Sequence, residues 1–422
     1  MLQKYFNAKS FFLLGGCFLA LGIPCDGFLR GLENTGLICL LFSAILNYKN
    51  YKLSSLYQPI NLLFMALFVL CVFGYLYTNS IENLNSKTGL KVLFLLFPIA
   101  FSQTPSFTDF ARRLFIGIFV FVIAILATLT MIDYAMHFEE YNILIQQSKP
   151  IEIIGGTMHI YFSMMLALSV FLGLHLIQKN FKIILTTTFD KLLLFAIIIN
   201  IIALHVLSAR TGLMAFYAAL VMILLRHTIR TRRYKTLIGG LFAMIAFPMV
   251  MYFSVASVKN RIDNTFDDLN RYYNNDYVGY YSISGRFETW KVAMHIFEDH
   301  PIFGVGSGDL QQDIESQYLI DGTRLMREET LPNCHNQYIE TLAAHGIIGF
   351  AVFISILILM FGMVKKLPRN NYLMLAFVSL FVTGFSVESL IEREAGITLF
   401  LFFFYLIRNN GYDSEMNTSV AP

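Results

Sequence analysis

The sequence predicts an all-α polytopic membrane protein, with about 12 transmembrane helices and one large loop outside the bilayer. Three observations predict it. Only 14% of the residues are charged and 56% are apolar, against roughly 25% charged in soluble domains. So few charges cannot cover a water-facing surface, and the mean hydropathy is +0.60. The apolar residues also form long runs, through which the 41 Phe and 18 Met are spread, as lipid-facing helices allow. Finally, the basic residues gather on alternate loops.

A spanning helix needs about 20 mostly apolar residues. Candidates run at 10–24, 34–48, 59–77, 90–103, 113–132, 157–177, 190–207, 211–226, 237–256, 337–361, 372–388 and 394–408. The second and fourth are short. Periodicity adds little, because a lipid-embedded helix is apolar nearly all round. If the N-terminus is cytoplasmic, eighteen Lys and Arg fall on inside segments and six on short outside loops. The inside set includes Arg226, Arg230, Arg232, Arg233 and Lys235, then Lys365, Lys366 and Arg369. Cytoplasmic loops carry the excess of basic residues, so segment 257–336 is expected outside. The chain thus divides into nine spans over 1–256, the loop over 257–336, and three spans with a short cytoplasmic tail over 337–422.

The five cysteines, Cys17, Cys25, Cys39, Cys71 and Cys334, match no metal spacing and no disulfide framework. Leu14-Gly15-Gly16-Cys17 has the look of a lipoprotein cleavage site. Lys9 stands too close for a normal signal core, so an uncleaved first helix is expected.

The loop is polar, with 13 acidic and seven basic residues. Within it, 285–298 reads as an amphipathic helix. Phe287, Trp290, Met294 and Phe297 form its stripe, Ser284 is a candidate N-cap, and Pro301 follows its end. The stripe is expected against the membrane helices or the interface. A second helix is expected from Asn333 into the tenth span.

Three outer sites carry chemistry. Arg210, in Ser208-Ala209-Arg210-Thr211-Gly212, sits in a very short turn at the level of lipid phosphates; a snorkelling anchor explains it equally. Arg286 opens the amphipathic helix, where free N–H groups and a planar guanidinium suit a phosphate. A surface salt bridge to Glu288 or Glu298 is the alternative. His335, in Asn333-Cys334-His335-Asn336-Gln337-Tyr338-Ile339-Glu340, is expected in the first turn of its helix. The dipole there favours a neutral ring able to accept a proton; a capping or anchoring histidine is the alternative. Cys334 and His335 are neighbours that do not face each other on a helix, which argues against a nucleophile pair. His345 is expected to pack or hydrogen-bond. Gly304-Val305-Gly306-Ser307-Gly308 lacks the context of a nucleotide loop and reads as a flexible turn. Glu388, Glu392, Arg393 and Glu394 cluster outside the last two spans. They either pair in water or face an arginine across the site.

At these sites the sequence resembles the O-antigen ligase family, which is grouped with O-antigen polymerases and protein O-oligosaccharyltransferases. The resemblance rests on the span pattern, the large loop before the last three spans, the arginine in a short outer turn, Ser-Gly-Arg at a helix start, and His-Asn-x-x-x-Glu at the loop's end. It implies glycosyl transfer on the periplasmic side of the bacterial inner membrane. The donor would be an undecaprenyl-pyrophosphate-linked O-antigen and the acceptor lipid A–core. It also implies pyrophosphate-binding roles for Arg210 and Arg286, and a catalytic role for His335. Glu388 matches the family's acidic position loosely, and Glu340 is a possible supporting residue.

The chemistry agrees. Fixed guanidiniums stabilise charge that develops on a departing pyrophosphate, and a neutral histidine suits the acceptor proton. The pyrophosphate linkage is already activated, and no Asp-x-Asp pair is present. No cofactor, nucleotide, metal or nucleic-acid partner is therefore expected; membrane lipids are. A polymerase would use similar residues. A protein oligosaccharyltransferase often carries a further C-terminal domain, whereas about 14 residues follow the last span here. A lipid-linked glycan flippase should place charges near the midplane, and these charges collect at the outer surface.

Overall fold

The computed structural model describes residues 7–29, 31–50, 53–103, 108–147, 149–179, 182–274, 283–322, 333–366 and 372–416. Of the basic residues weighed above, Lys4, Arg30, Lys52, Arg324, Arg327 and Arg369 lie outside these. The described chain is helical apart from one two-stranded hairpin. In order the helices are α1 (Ala8–Gly22), α2 (Leu32–Leu46), α3 (Leu53–Leu56), α4 (Pro59–Phe73), α5 (Ile81–Lys91), α6 (Leu93–Gln103), α7 (Asp109–Met136), α8 (Phe138–Gln146) and α9 (His159–Ile177). After the hairpin β1 (Gln178–Lys179) and β2 (Lys182–Ile183) come α10 (Thr188–Val206), α11 (Arg210–Thr231), α12 (Tyr234–Ser254) and α13 (Ala256–Tyr273). The chain continues through α14 (Ile283–Asp299), α15 (Leu310–Asp321), α16 (Gln337–Lys366), α17 (Leu373–Val387) and α18 (Glu394–Met416).

Each expected span falls on a helix. Among the described residues nine helical stretches are long and apolar enough to cross a membrane, while α2 and α17 are apolar but shorter. Helix length by itself thus accounts for nine of the expected spans among the described residues. The protein is a multi-pass membrane protein. Its starts are set locally: Thr108 caps α7 through Ala111 N–H, and Thr187 with Asp190 forms a capping box on α10.

The buried helix α9 packs against α7, α10, α11 and α17. A helix that is apolar all round belongs in such a centre or in lipid, and α12, with no buried residue, takes the second place. Outside this bundle, a second core joins Val292, Ala293 and Ile296 of α14 to Leu310, Ile314 and Tyr318 of α15, and to Cys334, Ala343 and Ala344.

Three details of the loop differ from the sequence reading. In α14 the buried face is Ser284, Gly285, Glu288, Thr289, Val292, Ala293 and Ile296, not the aromatic stripe. Small side chains there allow close packing, and the polar ones find partners: Thr289 Oγ1 lies 2.6 Å from the Tyr318 hydroxyl. Phe287 instead meets the Tyr272 and Trp290 rings. Ser284 is inside the helix rather than its cap, and its N–H and hydroxyl both donate to Asp268. The glycine-rich stretch is a pinned segment, not a flexible turn. It lies against a break in α16 at Gly346, where φ is 59°. Val305 N–H and Gly306 N–H donate to Ala343 O (3.0 Å) and Ala344 O (2.8 Å), and Ile347 N–H donates to Pro301 O (2.9 Å). Ser307 Oγ is 2.9 Å from His345 Nε2, which gives His345 its hydrogen-bonding role. Asp309 accepts from Thr78 Oγ1, Asn79 N–H and Ser80 N–H at 2.8–2.9 Å. The segment thereby supplies partners for backbone groups that the break frees.

Candidate functional site

The short turn between α10 and α11 is set by Ser208, whose φ is 49° and whose hydroxyl donates to His205 O at 2.6 Å. Gly212 then presses on α9. Its N–H donates to Ser163 Oγ at 3.1 Å, and a Cβ at this position would lie 2.5 Å from Ser163 O. The beginnings of α9 and α11 are thus locked side by side. Both line a cavity of about 530 Å³ that also receives Arg286 from α14, His335, and Glu388 from the end of α17. Four of the five sequence-predicted site residues, Arg210, Arg286, His335 and Glu388, therefore share one cavity. The fifth, Glu340, does not line it.

His335 departs from the sequence reading in its backbone. The helix starts at Gln337, and His335 stands before it with φ 44°. The cap is Asn336, whose Oδ1 accepts from Tyr338 N–H (3.0 Å) and Ile339 N–H (3.3 Å); asparagine is among the strongest N-caps. Among the described residues three non-glycine positions have positive φ, and two of them, Ser208 and His335, line this cavity. Such strain costs about 1–3 kcal/mol per residue and clusters at functional sites.

His335 Nδ1 lies 2.9 and 3.1 Å from the Glu388 carboxylate oxygens. An ionised carboxylate only accepts, so Nδ1 presents a proton to Glu388, and in the neutral ring Nε2 then keeps its lone pair. Burial alone would raise the Glu388 carboxyl. The hydrogen bond and charge of His335, with Arg286 and the Ser389 N–H, outweigh it and hold the carboxyl below its ordinary value. Arg286 donates to Val387 O at 2.5 Å and lies 3.8 Å from Glu388. Burial pushes its guanidinium down, against the pull of Glu388. Glu288, the alternative partner, is taken by Lys291 at 2.8 Å.

The rest of the lining is more positive. Arg210 Nε is buried and meets no hydrogen-bond partner among the described residues, a state that buried polar groups rarely keep without a ligand. Arg261 of α13 lines the same cavity and donates to Lys149 O at 2.9 Å. Burial, with Arg210 beside it, pushes Arg261 down to about 10. Arg393 lines the mouth. Four guanidiniums against one carboxylate, at the starts of α9 and α11, suit a polyanion.

Behind the cavity a polar latch fixes the backbone that presents His335 and Glu388. Glu340 Oε2 accepts from Cys334 N–H and from Ser389 Oγ, each at 3.1 Å. Glu392 pairs with Lys91 at 2.6 Å and Lys87 at 3.2 Å, and accepts from Gln337 Nε2 at 3.1 Å. Burial works against this carboxylate, and the two lysines hold it far below its ordinary value. Cys334 is wholly buried, which pushes its thiol well above the ordinary range; it is no nucleophile.

Residues 195–354 match the family model described as O-antigen ligase. The match supports membership of the O-antigen ligase family. An uncharacterized protein of Haemophilus influenzae is 32% identical over 93 residues, which is 21% of this chain and 23% of that protein. The match to this relative thus spans under a quarter of its length. The segment similar to the O-antigen ligase family holds Arg210, Arg261, Arg286, His335 and Glu340, while Glu388 lies beyond it. That family supports a glycosyl-transfer type of chemistry in general.

Sequence reasoning missed Arg261 and His159 as cavity residues. Arg261 had a signal, since it sits in a helix on the same outer segment as Arg286. His159 opens a span three residues after Gly156, but nothing in the sequence brings that end beside the loop.

Proposed function

We propose that the protein is an O-antigen ligase of the bacterial inner membrane, with its site facing the periplasm. It transfers O-antigen polysaccharide from undecaprenyl pyrophosphate to lipid A–core. One observation carries the reading: four arginines and the His335–Glu388 pair line a single cavity. The donor pyrophosphate lies against Arg210 and Arg261, with Arg286 bridging toward Glu388. The acceptor hydroxyl approaches His335 Nε2 and its oxygen attacks the anomeric carbon. The bond from that carbon to the phosphate oxygen breaks, and its electron pair leaves with undecaprenyl pyrophosphate. The proton goes to His335, whose cationic form Glu388 stabilises. The guanidiniums favour the transition state because phosphate charge is greatest as the bond breaks.

The test is lipopolysaccharide from a deletion strain complemented with wild type or His335→Ala. Loss of the whole ladder, with lipid-linked polymer accumulating, supports the ligase. A core carrying one repeat unit would instead make the protein a polymerase. A normal ladder in the deletion strain would refute both.

A further inference from the structure

The cavity holds a second histidine that the transfer described above does not use. His159 is the first residue of α9 and lines the cavity beside Met158 and Tyr161. Its ring makes no hydrogen bond to any described residue, so both ring nitrogens are available to a bound molecule. His159 thus shares one cavity with Arg210, Arg261, Arg286 and the His335–Glu388 pair, where the bond between sugar and phosphate must lie if that reading of the cavity holds. Gly212 against Ser163 fixes the start of α9, so the ring is carried on a rigid frame.

We infer that His159 is a further catalytic residue, which donates a ring N–H to the phosphate oxygen that receives the electron pair as the glycosidic bond breaks. The neutral ring supplies one donor and no charge. It therefore adds direction to what the arginines supply as charge: it marks one oxygen of the pyrophosphate as the leaving one. No proton needs to transfer, because a pyrophosphate ester leaves as an anion. The role differs from that of His335, whose Nε2 accepts a proton. The inference rests on the ligase reading, and the experiment separates the two.

Purified protein in nanodiscs is given lipid-linked donor and lipid A–core extracted from the deletion strain, and transfer is followed with time. Binding of undecaprenyl pyrophosphate is measured separately by native mass spectrometry. His159→Phe keeps the ring volume without an N–H, and His159→Gln keeps an N–H donor without the ring. The expected result is a fall of about 10²-fold or more in kcat for the Phe variant, near-normal undecaprenyl pyrophosphate binding in both, and recovery to within about tenfold in the Gln variant. Normal turnover by the Phe variant overturns the inference, as does equal loss in both variants accompanied by lost binding. Arg210→Ala and His335→Ala run alongside. If these also transfer normally, the reading of the cavity itself fails; if they fail while His159→Phe does not, only the role of His159 fails.

Discussion

Replacing Glu388 by Gln tests the heart of the site while barely changing its shape. The carboxylate is 3% exposed, lies 2.9 Å from His335 Nδ1 and 3.8 Å from Arg286, and accepts from Ser389 N–H at 3.3 Å. A glutamine there can turn its amide N–H toward Nδ1, which forces the ring proton onto Nε2. The nitrogen that faces the acceptor then has no lone pair. Loss of a general base, or its presence in the wrong tautomer, costs about 10²–10⁴-fold in rate, which corresponds to about 3–5.5 kcal/mol of transition-state stabilisation. A hydrogen bond to a charged group contributes about 1.5–3 kcal/mol to stability, so a lower melting temperature is also expected. Donor binding should change little, since Arg210 and Arg261 are untouched. The pH dependence has a definite sign. The Glu388 carboxyl is held below its ordinary value in the folded protein, so its stabilisation is complete above the unfolded value of about 4.3 and is lost as pH falls through the lower folded value. Wild type should lose melting temperature on that acidification, and Glu388→Gln should lack this component. The assay is transfer in nanodiscs at pH 7, with melting followed from pH 7 to pH 3. Transfer by the Gln variant within threefold of wild type would refute the His335–Glu388 pairing as the working base.

Arg286→Lys should lower transfer at least about tenfold although the charge is kept, because one ammonium cannot span Val387 O and Glu388 as the guanidinium does; full ligation in the complementation gel would remove the bidentate argument. Gly304→Ala should destabilise by more than about 2 kcal/mol, since the left-handed backbone alone costs about 1–2 kcal/mol and the new Cβ would lie 2.4 Å from the Ala344 carbonyl carbon. Gly322→Ala has the same backbone cost with nothing within 4 Å, so equal melting temperatures for the two variants would contradict the clash. Leu319→Cys, at a position 66% exposed, should react with a membrane-impermeant maleimide in intact spheroplasts. Labelling only after lysis would invert the proposed topology.

The sequence made the membrane helices legible because lipid demands long apolar runs whatever the tertiary packing. It also pointed to Arg210, Arg286 and His335, since a charged residue at a helix start on one side of a bilayer is conspicuous. The pairing of His335 with Glu388 was not legible. They are 53 residues apart, and only the return of α17 to the same side brings them together. The buried face of α14 was misread for another reason. An aromatic stripe at helical spacing outweighs serine, glycine and threonine on any hydrophobic scale, yet Thr289 is the residue whose hydroxyl had a partner waiting in Tyr318. Glu340 was noticed as a neighbour of the histidine, but its task of tying Cys334 to Ser389 depends on a turn that comes about fifty residues later.

The break in α16 bears on the order in which the protein is made. The N–H groups of Val305 and Gly306 take their acceptors from Ala343 and Ala344, and the second core is closed by the same two alanines. During synthesis Val305 and Gly306 therefore emerge before the carbonyls that accept from them. They cannot settle until α16 has entered the bilayer and bent at Gly346. Glu388 and Glu392 emerge later still, so both the base and the latch behind it are completed only as the C-terminal helices dock. A chain halted before α16 would hold Arg210, Arg261, Arg286 and His335 but not Glu388. On the proposed ligase reading, transfer would therefore await the docking of the last membrane helices.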